Sequence, residues 1–446
     1  MLTHEAPRAA PERRAAIREG AWPVFAILFA LMVVDFVDRF VVVSMLPHLK
    51  TEWALGDGQL GALVSIVSVT VAIGTVPLSL VADRWGLVKS VFAMAVVWSG
   101  ATIACAFAGS YGQLLAARAF VGLGEAAYGP AGAALLANRF PGQFRTGVLG
   151  AFFAASLIGS VLGVALGGVI AERWGWQAGF GAVGIPGLLL AVVFLLVVRD
   201  DASAGRARPS GTWIGARAAS RALFRPRTLV LACIGGALQL ALVSSVFTWL
   251  PSFLHRYYGL APDVAGVRTG FIVLVGGVGA IAWSLVADLL APAHPRARLH
   301  VSALAAVASA VLFGAAFALV GPGSAQIALI VAGAFAMTGT IGPVAAVVLD
   351  VAPPALRATA ASVLALVQNL AGLAAGPLVA GMLSDRLGLP FALSLMPACC
   401  VLAAAVFVVA ARHYVADRGE AERQAVAAES ALPDPEARVG GTAAGV

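Results

Sequence analysis

The chain alternates between long apolar runs and short polar breaks. Twelve apolar runs lie at about residues 22–46, 58–82, 90–108, 113–137, 147–171, 178–198, 228–254, 267–290, 300–320, 326–350, 358–383 and 390–412. Each is long enough to cross a ~30 Å hydrocarbon core as an α-helix rising 1.5 Å per residue. Gly74, Pro77, Pro130, Pro186, Pro343 and Pro377 fall inside runs, which membrane helices tolerate because neighbouring helices re-satisfy the freed backbone groups. The pattern predicts an all-α membrane protein with twelve transmembrane helices.

One polar stretch, 199–227, divides the runs six and six. It holds Gly, Ser, Pro and seven arginines. The expected organisation is a tail (1–21), a first bundle (22–198), a linker (199–227), a second bundle (228–412) and a polar Ala/Glu/Pro-rich tail (413–446) expected to be disordered. Repetition supports the division. Ser79-Leu80-Val81-Ala82-Asp83 recurs as Ser284-Leu285-Val286-Ala287-Asp288, and Leu46-Pro47 as Leu250-Pro251. The P-x-x-x-R of Pro141–Arg145 recurs at Pro353–Arg357, and Glu172-Arg173-Trp174-Gly175 resembles Asp385-Arg386-Leu387-Gly388. Four matches in one order imply two pseudo-symmetric six-helix bundles, the parallel repeat known among secondary transporters.

Composition and charge fit this picture. The chain is 60% hydrophobic and 11% charged, whereas soluble domains are typically about 45–50% apolar and about 25% charged. The net charge of +7 does not indicate nucleic acid, since the basic residues sit in short clusters between apolar runs. With the N-terminus in the cytoplasm, 22 Arg and Lys fall on the cytoplasmic side and 5 opposite. That asymmetry sets the orientation with both termini cytoplasmic. The first run is too long for the apolar core of a signal peptide and is expected to remain as a helix. Cys105, Cys233, Cys399 and Cys400 lie inside apolar runs without metal spacing and read as small buried hydrophobes. No GxSxG, HExxH or metal-spaced His/Cys set is present, so the chain does not read as an enzyme. Short loops and an Arg-rich composition suggest a bacterial inner-membrane protein.

The sharpest chemical signal is charge inside the membrane. The first run contains Asp35, Asp38 and Arg39, and the fourth contains Arg118 and Glu125. Each costs about 2.5–3.5 kcal/mol at mid-bilayer, so these residues should face the interior, pair with one another or line a watered cavity. Asp35 and Arg39 are one turn apart and could form a structural pair. Arg118 and Glu125 share a face and could form another. The functional alternative is that Glu125, Asp38 or Asp35 carries a proton while Arg39 or Arg118 holds an anionic head group. The second half has no ionisable residue between its helix ends. Gln239, Ser244, Ser245, Trp249, Thr338, Gln368 and Asn369 are its polar candidates. One charged wall facing one apolar wall suits an amphiphile.

Two sets of motifs carry a family resemblance. Ser79-Leu-Val-Ala-Asp83-Arg84-Trp-Gly86-Leu87-Val88-Lys89 resembles the loop between helices 2 and 3 of the major facilitator superfamily, written GxLaDrxGrkxx. Ser79 and Leu87 depart from it. The resemblance implies that Asp83, Arg84, Gly86 and Lys89 form a cytoplasmic gate, with Asp288 in a degraded second copy. The fifth run carries Gly159, Gly163, Gly167 and Gly168. They resemble the antiporter motif gxxxGPxxGG, but Val164 replaces its proline, and helix packing is the preferred reading. Asp38-Arg39-Phe-Val-Val-Val, Arg118-x-x-x-Gly122-x-Gly124-Glu125-Ala-x-Tyr128, Arg139-Phe140-Pro141 and Glu172-Arg-Trp-Gly-Trp176 resemble the Spinster branch. That branch implies alternating-access transport of lysophospholipids or sphingosine phosphates, with protons involved in some members. The expectation is a monomeric, proton-coupled carrier of an amphiphilic anion, needing no cofactor beyond a proton gradient. Its substrate contacts would be Arg39, Arg118, Tyr128, Trp249, Gln368 and Asn369. Proton-linked transport of a small organic anion and drug/proton antiport are the alternatives.

Overall fold

The computed structural model describes residues 20–198, 223–353 and 356–430. Among these the chain forms twelve spans. In the first half they are α1 (Ala21–Trp53), α2 (Asp57–Trp85), α3 (Leu87–Ala106), α4 (in two pieces, Tyr111–Glu125 and Tyr128–Arg139), α5 (Gly142–Trp174) and α6 (Trp176–Val197). The second half holds α7 (Arg227–Tyr258), α8 (Pro262–Leu290) and α9 (Ala297–Gly314, ending in a π turn, Ala315–Leu319). α10 follows in two pieces, Ser324–Met337 and Ile341–Val351. α11 runs through Arg357–Val367, a π segment Gln368–Ala374 and Ala375–Leu387. α12 comprises Leu389–Leu395 and Pro397–Ser430. Ten of the spans are apolar enough throughout to cross a membrane; the other two, α1 and α4, hold the five ionisable residues.

The twelve spans fold as two pseudo-symmetric six-helix bundles. α1 packs on α5, α2 on α4, and α3 on α4 and α6; in the second half α7 packs on α11, α8 on α10, and α9 on α10 and α12. The bundles meet through α2 against α11 and α5 against α8. Small residues make these approaches possible. A Cβ on Gly159, Gly163 or Gly167 would collide with the carbonyl oxygens of Val33, Val37 and Val41 on α1, so the stripe on α5 is a packing surface. One on Gly168 would meet the Pro262 carbonyl, and one on Gly61 the Pro377 carbonyl, where the halves touch. The repeat is also visible in turns. Gly175 and Gly388 share the left-handed region at φ 82° and 83°, and Gly86 turns α2 into α3 at φ 100°. A Cβ would be strained at these φ values.

Broken helices mark the same depth in both halves. Pro130 has no N–H to give the Ala126 carbonyl. α4 interrupts at Ala126 and Ala127, and the Thr75 hydroxyl on α2 donates to that carbonyl at 3.0 Å. In α10 the Gly342-Pro343 pair stands where α4 has Gly129-Pro130, and the helix interrupts at Thr338–Thr340. There the Thr338 hydroxyl donates to Gly276 of α8 (2.6 Å), and Gln239 of α7 donates to the Met337 carbonyl (2.9 Å).

The segments 1–19, 199–222, 354–355 and 431–446 fall outside the described residues, so most of the linker, most of the N-terminal tail and the last part of the C-terminal tail are among them. One expectation is corrected: the last helix does not end near 412 but continues to Ser430, and residues 413–430 are helical. Arg418–Glu422 and Arg423–Glu420 pairs support the extension at the spacing that stabilises exposed helices.

Candidate functional site

All five intramembrane charges converge where α1 meets the break in α4. Arg39 donates from Nη2 to Glu125 Oε2 at 2.6 Å. Arg118 lies with Nη1 3.7 Å from Asp38 Oδ1 and donates to the Asp38 backbone carbonyl at 3.3 Å. Thr102 of α3 completes Asp38 with a 2.8 Å bond to Oδ2. Neither pairing is the one the sequence suggested. The Asp35–Arg39 and Arg118–Glu125 pairs within single helices are replaced by two pairs between helices. Asp35 is left over. It is 4% exposed, its Oδ1 has no hydrogen-bond partner, and the charged groups acting on it are Glu125, Arg39 and Asp38.

The two arginines differ in access. The Arg39 side chain is 19% exposed and sits over the Phe36 ring, whereas Arg118 is completely buried. Arg39 Nε and Arg118 Nε and Nη2 have no partner. Buried guanidinium groups with unused donors are costly unless something else satisfies them. Arg39 is thus the more accessible of the two, and Arg118 is enclosed beside Asp38.

The remaining expected contacts divide. Tyr128 is fully buried, packs edge-on against Trp98 and donates its hydroxyl to Leu28 at 2.7 Å. Trp249 is fully buried and donates to Pro377 at 3.1 Å. In this conformer both pack between helices rather than line an open surface. Gln368 and Asn369 lie in the π segment of α11 and are partly exposed; Asn369 bonds Ala365 through Nδ2 and leaves Oδ1 free.

At the turn after α2, Arg84 and Lys89 are exposed beside Gly86; the Asp83 side chain lies outside the described residues. Asp288 does not reach across the halves here. Arg298 holds both Asp288 (3.0 Å) and Asp350 (2.6 Å), and Tyr414 also bonds Asp350 (2.7 Å), so this network staples α8, α9, α10 and α12 within the second half. In this conformer Asp288 is therefore engaged within its own bundle.

A site that sequence reasoning missed lies at the opposite end of the spans. Asp57, the first residue of α2, receives two bonds from Arg256 of α7 (2.7 and 2.8 Å), one from Lys50 (2.6 Å) and one from Ser384 of α11 (2.5 Å). Asp385 of α11 accepts from the backbone N–H groups of Asp57 (2.6 Å) and Gly58 (2.8 Å). Gly56, at the N-cap of α2, has no side chain to cap the helix, and the other half supplies the carboxylate instead. Arg256 and Ser384 on Asp57, and Asp385 on the start of α2, thus clamp the halves together, while Lys50 adds a bond to Asp57 within the first half. Lys50, Arg256 and Asp385 were visible only as a topology count and a repeat match.

Comparison with known proteins decides the family. A sequence model of the Major Facilitator Superfamily matches residues 28–376. The chain belongs to that superfamily. Within it the resemblance runs to the Spinster branch. The protein spinster of Drosophila melanogaster is 24% identical over 391 residues, covering 84% of this chain and 64% of that protein. A sphingosine-1-phosphate transporter of Mus musculus is 24% identical over 444 residues, covering 90% and 78%. A hexuronate transporter of Bacillus subtilis is 26% identical over 381 residues, covering 82% and 88%. The crystal structure of a bacterial homolog to the human lysosomal transporter Spinster, inward-facing and unoccupied, superposes with a TM-score of 0.81 at 22% identity, covering 90% of this chain and 99% of that one. The chain is a transporter and not an enzyme.

Proposed function

We propose that this superfamily member is a proton-coupled secondary transporter of an amphiphilic anion, a lysophospholipid or a molecule like it, working by alternating access. The observation that carries the reading is Arg39: its side chain is partly exposed and held by a carboxylate that a substrate anion could displace. An incoming phosphate would take the guanidinium by charge-assisted bonds, with Arg118 supporting from behind, while the apolar wall of the second half takes the tail. Gln368 and Asn369 are the polar contacts offered from α11. Displacing Glu125 from Arg39 removes the opposite charge that favours its ionised form, so anion binding and proton uptake are linked with the same sign. The sphingosine-1-phosphate relative supports a phosphate head group; the hexuronate relative supports the second reading, a small organic acid on the same arginine.

The arginine asymmetry orients the Gly86 turn and both termini toward the cytoplasm of a bacterial inner membrane. Asp57 would then close the outer side, as in a carrier that faces inward. Asp83, Arg84, Gly86 and Lys89 would act when the cytoplasmic side closes, and the carrier would function as a monomer. The test is thermal-shift binding of purified protein with lysophosphatidylglycerol against glucuronate, then uptake into proteoliposomes with and without a pH gradient. Stabilisation by the lysolipid that is lost in Arg39→Ala supports the proposal. Stabilisation by glucuronate alone transfers it to the second reading, and neither ligand binding overturns both.

A further inference from the structure

The two bundles pack through equivalent glycine contacts, and at one of these they carry different side chains. A Cβ on Gly159 of α5 would stand 2.7 Å from the Cβ of Phe36 on α1; a Cβ on Gly372 of α11 would stand 3.0 Å from the Cβ of Leu240 on α7. The repeat that pairs Leu46-Pro47 with Leu250-Pro251 sets Phe36 opposite Leu240, and the one that pairs Glu172-Arg173 with Asp385-Arg386 sets Gly159 opposite Gly372. Leucine therefore suffices to fill this contact. What the first half adds is a cation one turn further along: Arg39 follows Phe36 by three positions, where Val243 follows Leu240. A long side chain on a helix leans toward the N-terminus, onto the residue three or four positions earlier. Arg39 does so. Its Cζ lies over the Phe36 ring, 5.3 Å from the centroid, within the ~6 Å at which the negative face of an aromatic ring attracts a guanidinium.

We infer that Phe36 is a positioning residue of the anion site, its ring holding the Arg39 guanidinium in place while a substrate anion exchanges with Glu125. This role rests on the reading of Arg39 as the head-group ligand and adds the group that keeps it there. The two partners of Arg39 differ in kind. Glu125 belongs to α4, and its 2.6 Å bond to Nη2 spans 86 positions; an anion that takes Nη2 must displace it. Phe36 belongs to α1 itself, so its contact with Arg39 does not depend on how α1 and α4 are placed. Between the loss of one anion and the arrival of the other, the guanidinium would be an uncompensated cation in a mostly desolvated place. Its side chain is 19% exposed and its Nε has no hydrogen-bond partner. A cation–π contact is strongest under such desolvation, and a leucine offers none. Phe40, the next ring along α1, packs toward Gly163, whose Cβ would stand 3.0 Å from its own.

Fluorinated phenylalanines placed at position 36 test this, because ring fluorines drain the negative charge from the face and barely change its shape. With lysophosphatidylglycerol and glucuronate as probes, affinity should fall stepwise with each added fluorine. Phe36→Leu should bind about 2- to 30-fold more weakly, the span of cation–π strengths from exposed to desolvated sites. Phe36→Tyr and Phe40→Leu should both bind as the wild type does. Phe36→Leu is expected to fold, since Leu240 fills the equivalent contact, and thermal unfolding checks it; the fluorinated series decides the matter if it does not. Binding of a probe by the wild type with affinity flat across the series overturns the proposal, and so does a Phe36→Tyr as weak as Phe36→Leu. Glucuronate binding that follows the series while the lysolipid does not bind moves the substrate reading and leaves the role of Phe36 standing. If neither probe binds the wild type, both fall.

Discussion

The two bundles share one architecture and differ at its centre. Aligned on the repeat, Asp35, Asp38 and Arg39 of α1 face Gln239, Leu242 and Val243 of α7; aligned on the helix breaks, Arg118 and Glu125 of α4 face Ile330 and Met337 of α10. Gln239, Leu242, Ile330 and Met337 are all fully buried, like the charges they replace. The backbone is therefore indifferent to the chemistry carried there. Both halves break the same helix next to a Gly-Pro pair and tie the break to the preceding bundle helices by side-chain hydrogen bonds. What distinguishes them is that one half satisfies the site with an amide and apolar packing, while the other builds ion pairs whose cost only a function would justify.

The largest expected effect comes from breaking the charged centre. Arg118→Met copies the apolar half at one position but strands Asp38 as a buried, unpaired carboxylate. It should lower stability by about 3–5 kcal/mol, read by thermal unfolding in detergent, and Asp38→Asn in the same chain should restore much of it. If the single variant is as stable as wild type, the Asp38–Arg118 pair contributes nothing.

Next in size is the link between the halves. Asp57→Ala removes the acceptor for Arg256, Lys50 and Ser384, charge-assisted bonds worth about 1.5–3 kcal/mol each before the partners re-solvate. The equilibrium should move toward opening on that side. A cysteine placed beside Arg256 should then label faster with an impermeant maleimide; unchanged labelling would reduce the clamp to a surface contact.

The neutral half should respond less. Gln239→Leu leaves the Met337 carbonyl without its donor and should cost about 0.6–1.7 kcal/mol. Transport should keep its response to a pH gradient. A lost response would mean that the second half takes part in proton handling and that the contrast between halves is wrong.

The smallest effect is expected at Asp288. Its side chain is 62% exposed and pairs with an Arg298 that also holds Asp350. Asp288→Ala should change stability by about 0–1 kcal/mol and leave transport rates near wild type. A large loss of transport would restore it to the gate.

Most of the fold could be read directly from the residues. Apolar runs long enough to span a membrane count the helices, the arginine-rich break divides them, and recurrent short motifs expose the duplication. The Gly129-Pro130 and Gly342-Pro343 pair was also there to be read, and with it the two breaks, because a missing N–H frees a carbonyl wherever proline stands in a helix. The five charges were equally plain, since an ionisable residue in an apolar run has few harmless explanations.

The sequence by itself determined which helices exist, that they fall into two related bundles, and that charge is confined to one of them, since each is a property of local spacing and composition. Tertiary structure alone decided the partners. Arg39 meets Glu125, 86 positions away, and Asp57 meets Arg256 and Asp385, 199 and 328 positions away. Within one helix Asp35 is as close to Arg39 as sequence can place it, yet the packed bundle sets Glu125 on that guanidinium at 2.6 Å. A charge-assisted bond of that length depends on the packing of α1, α4 and α5 to within fractions of an ångström, and no local pattern encodes such a distance.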